Sequence, residues 1–153
     1  MHLQTTVSGL FAAGDVAETF DVAWGDRRLH ALWPAAVEQG RIAGCNMTGE
    51  GIWYPGTIAC NALRIEDLYI VSGGISNPSP DEGYQSHAYH DPSKRIYKKI
   101  VTKDGRMAGM VFVNDIASAG IVLSMIKKKR LLSSVKADCL SARFNAGQVS
   151  FII

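Results

Sequence analysis

Apolar positions change rhythm near residue 50, and the change divides the chain into two kinds of element. Leu10–Ala13 is a short continuous apolar run, the pattern of a strand in a parallel sheet covered on both faces. Residues 17–32 carry charges and Gly25 without a sustained period, which predicts a connecting loop. Over 33–47, Trp33, Ala36, Val37, Gly40, Ala43, Gly44 and Met47 fall on one face at helical spacing. Pro34 suits the first turn of that helix, where a missing N–H costs nothing, and Met47–Gly51 supplies its stop.

Beyond Tyr54-Pro55-Gly56 the pattern turns to strands. Residues 57–64 and 67–74 read as a pair meeting near Glu66-Asp67, a loop covers 77–83, and 84–90 form a further strand. Ile96–Val101 and Met107–Val113 flank Lys103-Asp104-Gly105-Arg106, and Asp-Gly between two β-rich runs favours a type I′ hairpin. A helix is predicted from Asp115 to about Lys127, with Ile116, Ala119, Gly120, Leu123 and Ile126 facing the core. The tail after Leu131 holds apolar Phe144, Val149, Phe151 and Ile152. This order predicts an α+β fold, an antiparallel sheet with helices packed on one side. Residues 1–18 fit it poorly, because a lone parallel-type strand needs neighbours. Residues 1–30 are expected to be loosely held, or to pair with another copy.

Composition narrows the classes. With 153 residues, 47% hydrophobic and 20% charged, the chain is sized for one ordinary globular domain. A net charge of +2 is too mild to imply nucleic acid or an anionic membrane. The basic run Lys127–Arg130 reads as the solvated end of a helix rather than a binding patch. Cys45, Cys60 and Cys139 are odd in number and form no C-x-x-C pair, so reduced, buried thiols in a cytoplasmic protein are expected. Neither a signal peptide nor a membrane-spanning run is visible. His87 and His90 stand three apart on a strand, hence on opposite faces, and no metal site is expected.

Two constellations could carry chemistry. Gly14-Asp15 ends the first apolar run; glycine lets a ligand approach backbone, and the carboxylate can accept hydrogen bonds from sugar-like hydroxyls. Taken alone, a strand followed by an N-capping Asp, a common combination, is the readier explanation of the pair. The helix opening at Trp33-Pro34 offers unpaired N–H groups and the positive end of its dipole to an anionic group. An ordinary amphipathic helix explains that too.

Together, Thr6–Glu18 and Leu32–Gly44 resemble the FAD-dependent pyridine nucleotide-disulfide oxidoreductases, in the branch of NADH oxidases, rubredoxin reductases and NADH-dependent nitrite reductases. The first segment is similar to that family's second FAD motif and the second to its flavin-facing helix. Arg95–Ile100, Gly105–Val111, Asp115 and Gly120 resemble its C-terminal, dimerisation-type domain. The resemblance implies that Gly14 and Asp15 meet the FAD ribityl chain, and that Trp33, Pro34, Ala35 and Ala36 lie at the pyrimidine edge of the flavin. It also implies domains at 1–30, a remnant of the FAD-binding domain and linker with an orphan strand, and at 31–153, the C-terminal domain.

Both G-x-G-x-x-G loops of the family are absent, so neither the FAD pyrophosphate nor NAD(P)H has its usual cradle. The expectation is therefore the C-terminal domain of an FAD-dependent NAD(P)H oxidoreductase, with no catalytic residue of its own. FAD would belong to the full-length parent, the partners would be the missing FAD- and NAD(P)H-binding domains, and the chain could form a homodimer. A stand-alone interaction module that kept the fold without redox activity is the alternative.

Overall fold

The computed structural model describes residues 1–135 and 138–149. Phe151 and Ile152 of the predicted apolar tail lie outside the described residues. The chain divides into two compact units, Met1–Ala59 and Cys60–Ile153, whereas the functional division read from sequence falls at 30/31.

In the first unit, β1 (Glu18–Phe20) and β2 (Arg27–Leu29) form an antiparallel hairpin inside the stretch predicted as loop. Three-residue strands are too short to show a period. Leu10–Ala13 is not a strand: Phe11 makes a single antiparallel bridge to Gln4, and Leu10 is 54% exposed. The chain reverses at Gly9, with φ 77°, and Thr5 N–H donates to the Leu10 carbonyl at 2.8 Å. The apolar run thus pairs with the chain's own N-terminus and needs no parallel neighbour. Residues 1–18 are accordingly anchored rather than loosely held. Leu3 is buried with Ile42, Ala43 and Tyr54, and Asn46 donates to the His2 carbonyl at 2.8 Å.

Helix α1 spans Trp33–Met47, with Pro34 in its first turn. Its buried residues are Ala35, Gln39, Ile42, Ala43 and Asn46. The predicted face is only partly the inner one: Ala43 is buried and Ala36 half-buried, but Trp33, Val37, Gly40, Gly44 and Met47 are exposed. Two polar side chains sit on the true inner stripe, each satisfied by hydrogen bonds, and hydropathy alone assigns such residues to solvent.

The second unit is a five-stranded antiparallel sheet built from β3 (Cys60–Ile65), β4 (Leu68–Gly74), β5 (Tyr84–Asp91), β6 (Ile96–Lys103) and β7 (Arg106–Val113). Their order is β3-β4-β7-β6-β5. Asp104 and Gly105 have φ of 50° and 70°, the two positive angles that a type I′ turn demands. A register shift at Val101/Thr102 lets both residues be buried.

Helix α2 (Ala119–Lys127) packs on β7 and β4 through Val122, Met125 and Ile126, while Gly120 is exposed. It opens at Ala119 rather than at the predicted Asp115, whose carboxylate is bound to the Lys98 ammonium at 2.8 Å. Phe144 and Val149 of the tail are buried. No helix among the described residues is long and apolar enough to cross a membrane.

Candidate functional site

The predicted site begins in a single turn of 3-10 helix, Gly14–Val16. Gly14 is buried at φ 78°, and its N–H donates to Gln39 Oε1 at 2.8 Å. Gln39 Nε2 lies 3.2 Å from Thr19 Oγ1 and 3.3 Å from the Tyr54 hydroxyl. One carboxamide from α1 therefore holds the Gly14 turn, strand β1 and the Tyr54 segment together. A Cβ at position 14 would sit 3.5 Å from the Ala36 Cβ, an ordinary contact. Glycine is needed here for its left-handed backbone rather than for space.

The structure lays the Gly14 turn against α1 beside Ala36, so the two sequence motifs meet. Asp15 is exposed, and its carboxylate has no partner among the described residues. It caps no helix: Ala13 precedes the 3-10 turn, and Leu32 precedes α1. The capping explanation for Gly14-Asp15 is thereby excluded.

Leu32 is extended and no side chain caps the first turn of α1. Pro34 has no N–H to offer, and Ala36 N–H already donates to the Leu32 carbonyl at 3.0 Å. The uncapped turn presents the positive end of the helix dipole. Around it, Trp33 is 82% exposed, Pro34 is exposed, Ala36 is half-buried and Ala35 is buried. Such an end can stabilise negative charge by about 0.3–1 kcal/mol.

Sequence reasoning missed two features. Gln39 carries no local signal apart from its place on α1. The other is a buried pair, His30 Nε2 2.6 Å from Asp21 Oδ2, with side chains 3% and 1% exposed. Asp21 Oδ1 also accepts from the Ala23 and Trp24 N–H groups at 2.7 and 3.0 Å. Asp21 four residues before Gly25 is a turn signal, but nothing in the sequence assigns His30 to it.

Elsewhere the chemistry is sparse. His87 and His90 are exposed on β5, and no group of three His, Cys, Asp or Glu that could hold a metal ion occurs among the described residues. All three cysteines are free thiols. Cys139 is buried, as expected, while Cys45 and Cys60 are only partly so. Burial pushes the Cys139 thiol up to about 11, with Asp138 adding to the effect, and also raises Cys60. A thiol held that high is a poor nucleophile at neutral pH. The first unit has a cavity of about 450 Å³ near Leu3, Thr5, Glu18 and Arg27, and none of the six sequence-derived site residues lines it.

Known proteins resemble this chain in sequence and in fold. Residues 60–130 match the family described as the rubredoxin NAD+ reductase C-terminal domain. The NAD(P)H sulfur oxidoreductase (CoA-dependent) of Pyrococcus furiosus is 40% identical over 83 residues, 54% of this chain and 19% of that protein. The NADH-rubredoxin oxidoreductase of Clostridium acetobutylicum is 28% identical over 142 residues, 92% of this chain and 33% of the relative. The chain thus spans about a fifth to a third of the length of these curated relatives. The solved water-forming NADH oxidase of Lactobacillus brevis has TM-score 0.78 at 20% identity, over 97% of this chain and 36% of its own. A NAD-dependent persulfide reductase from A. fulgidus gives 0.76 at 19% identity, over 97% of this chain and 31% of its own. Both structural likenesses speak for the α+β fold.

Proposed function

We propose, on the premise that this chain corresponds to the C-terminal portion of an FAD-dependent pyridine nucleotide-disulfide oxidoreductase, that it supplies one wall of a flavin site. The observation that carries the reading is the Gly14 turn tied by Gln39 to α1, beside an unpartnered Asp15 and an uncapped helix N-terminus. Asp15 accepts hydrogen bonds from ribityl hydroxyls, and Gly14 keeps the turn tight enough to present it. The first turn of α1, with Trp33, Pro34, Ala35 and Ala36, lies at the pyrimidine edge and favours negative charge there. Bound FAD would supply the hydride chemistry, which the protein orients and polarises.

The pyrophosphate and NAD(P)H cradles come from other polypeptide, in a cytoplasmic setting consistent with three free thiols. Residues 1–30 carry the second FAD motif and 31–153 the C-terminal domain, and a homodimer is compatible with the fold. The chain by itself is without redox activity. The alternative, an interaction module without chemistry, predicts the same isolated protein but gives Asp15 no role in flavin binding.

Purified alone, the chain should be colourless, without flavin absorbance near ~450 nm, because most cofactor contacts come from elsewhere. A chimera in which these residues replace the corresponding part of the C. acetobutylicum relative should bind FAD. Asp15→Ala in that chimera should weaken FAD by about 10-fold or more, the loss of hydrogen bonds to a charged acceptor. A chimera that folds and binds FAD equally well with Asp15→Ala would overturn the assignment; a stoichiometrically yellow isolated chain would overturn the division of labour.

A further inference from the structure

We propose that His30 and Asp21 are a positioning pair that fixes where α1 begins. Asp21 is a hub. Its N–H donates to the Asp26 carbonyl and its own carbonyl accepts from Gly25 N–H, both at 2.8 Å, closing the turn after β1. Val22 N–H donates to the Thr57 carbonyl at 2.8 Å, tying that turn to the end of the unit. One carboxylate oxygen takes the Ala23 and Trp24 N–H groups, and the other takes His30. Along the backbone, the His30 carbonyl accepts from Leu32 N–H at 2.8 Å, and the Leu32 carbonyl accepts from Ala36 N–H at 3.0 Å. Hydrogen bonds, joined through the covalent frame of Asp21 and His30, therefore link the turn to the first turn of α1.

The ring's protonation is set by its partners. Nε2 lies 2.6 Å from a carboxylate oxygen, so it must carry a proton. Nδ1 is buried with no partner among the described residues. A buried N–H without an acceptor is costlier to leave unmade than an idle lone pair. The neutral, Nε2-protonated imidazole satisfies both conditions, and either other form violates one. Burial of this pair thus selects a single tautomer and a single ring orientation, and that orientation places Leu32. Significance for a cofactor rests on the proposed flavin site, since the first turn of α1 is its contact; the pair itself does not need that reading.

The test uses this chain without flavin. Long-range ¹H–¹⁵N spectra should show His30 protonated at Nε2 in slow exchange and bare at Nδ1; a ring protonated at Nδ1 overturns the proposal. Amide exchange at Ala23, Trp24, Leu32 and Ala36 is then read against Ile100 and Met110 in the second unit. His30→Phe keeps a ring without a donor, and His30→Asn places its amide at the Nδ1 position. Both should accelerate exchange at those four amides by about tenfold or more, whereas His30→Gln, whose amide reaches the Nε2 position, should stay within about threefold. Protection by phenylalanine equal to the natural chain, or glutamine failing as badly as phenylalanine, overturns the pair. Should the phenylalanine variant leave the first unit unfolded, a folded glutamine variant supports the proposal and an unfolded one overturns it. Failure here leaves the flavin reading standing, while loss of the Asp15 effect in the chimera leaves this pair standing.

Discussion

Asp115→Ala should lower the unfolding free energy of the second unit by about 3–5 kcal/mol, because it strands a buried cation. Lys98 sits on the interior strand β6, between β7 and β5, with its side chain 1% exposed. Its ammonium lies 2.8 Å from Asp115, 3.5 Å from the Ser141 carbonyl and 5.0 Å from the centroid of the Phe112 ring. A weak carbonyl contact and a ring face do not replace a carboxylate. The double change Lys98→Met with Asp115→Ala removes both charges and should recover most of the loss, since apolar replacements of whole buried pairs are often neutral or better. Urea titration of the natural chain and the two variants measures this. A single variant within about 1 kcal/mol of the natural chain would show that the ammonium reaches water instead.

Gly109→Ala should cost about 3 kcal/mol, at the upper end for overpacking, because the obstruction is backbone. An added Cβ would lie 1.9 Å from the Ile75 carbonyl oxygen and 2.4 Å from its carbon. Ile75 is itself buried and held by an N–H bond to the Ala108 carbonyl at 3.0 Å. Across the ladder Gly74 pairs with Gly109, and a Cβ there would come 2.3 Å from the Ala108 oxygen. These two glycines let the chain leave β4 and cross closely over β7. The same urea titration decides the matter: a loss under about 1 kcal/mol would mean that the crossing segment moves aside freely.

Those glycines also show where sequence reasoning succeeds and where it stops. Asp104-Gly105 was legible because its turn chemistry is local, and it fixed the β6–β7 pairing. The ends of α1 were legible for the same reason, from Pro34 at one end and Met47–Gly51 at the other. Its buried face was not, because Gln39 and Asn46 lie inward to meet partners distant in sequence. Leu10–Ala13 has the composition of a parallel strand, yet it pairs back on Gln4, a choice that depends on what else the chain offers. Gly14, Asp15 and the first turn of α1 were read from motif likeness, and their meeting beside Ala36 needed the structure. Asp21 and His30 stand nine apart with no period to join them, so burial alone reveals the pair.

Gln39 has a consequence for the uniqueness of the fold. A carboxamide has polarity: one end only accepts and the other only donates. With its oxygen on Gly14 N–H and its nitrogen toward Thr19 and Tyr54, it fits one arrangement of neighbours. Aliphatic contacts would let a helix slide or rotate with graded loss, as oiled surfaces do. A one-residue slip of α1 would instead bring Glu38 or Gly40 to this place, a buried charge in one case and no side chain at all in the other. Gln39 therefore works as a keyed joint, converting a continuous range of helix placements into one allowed seat.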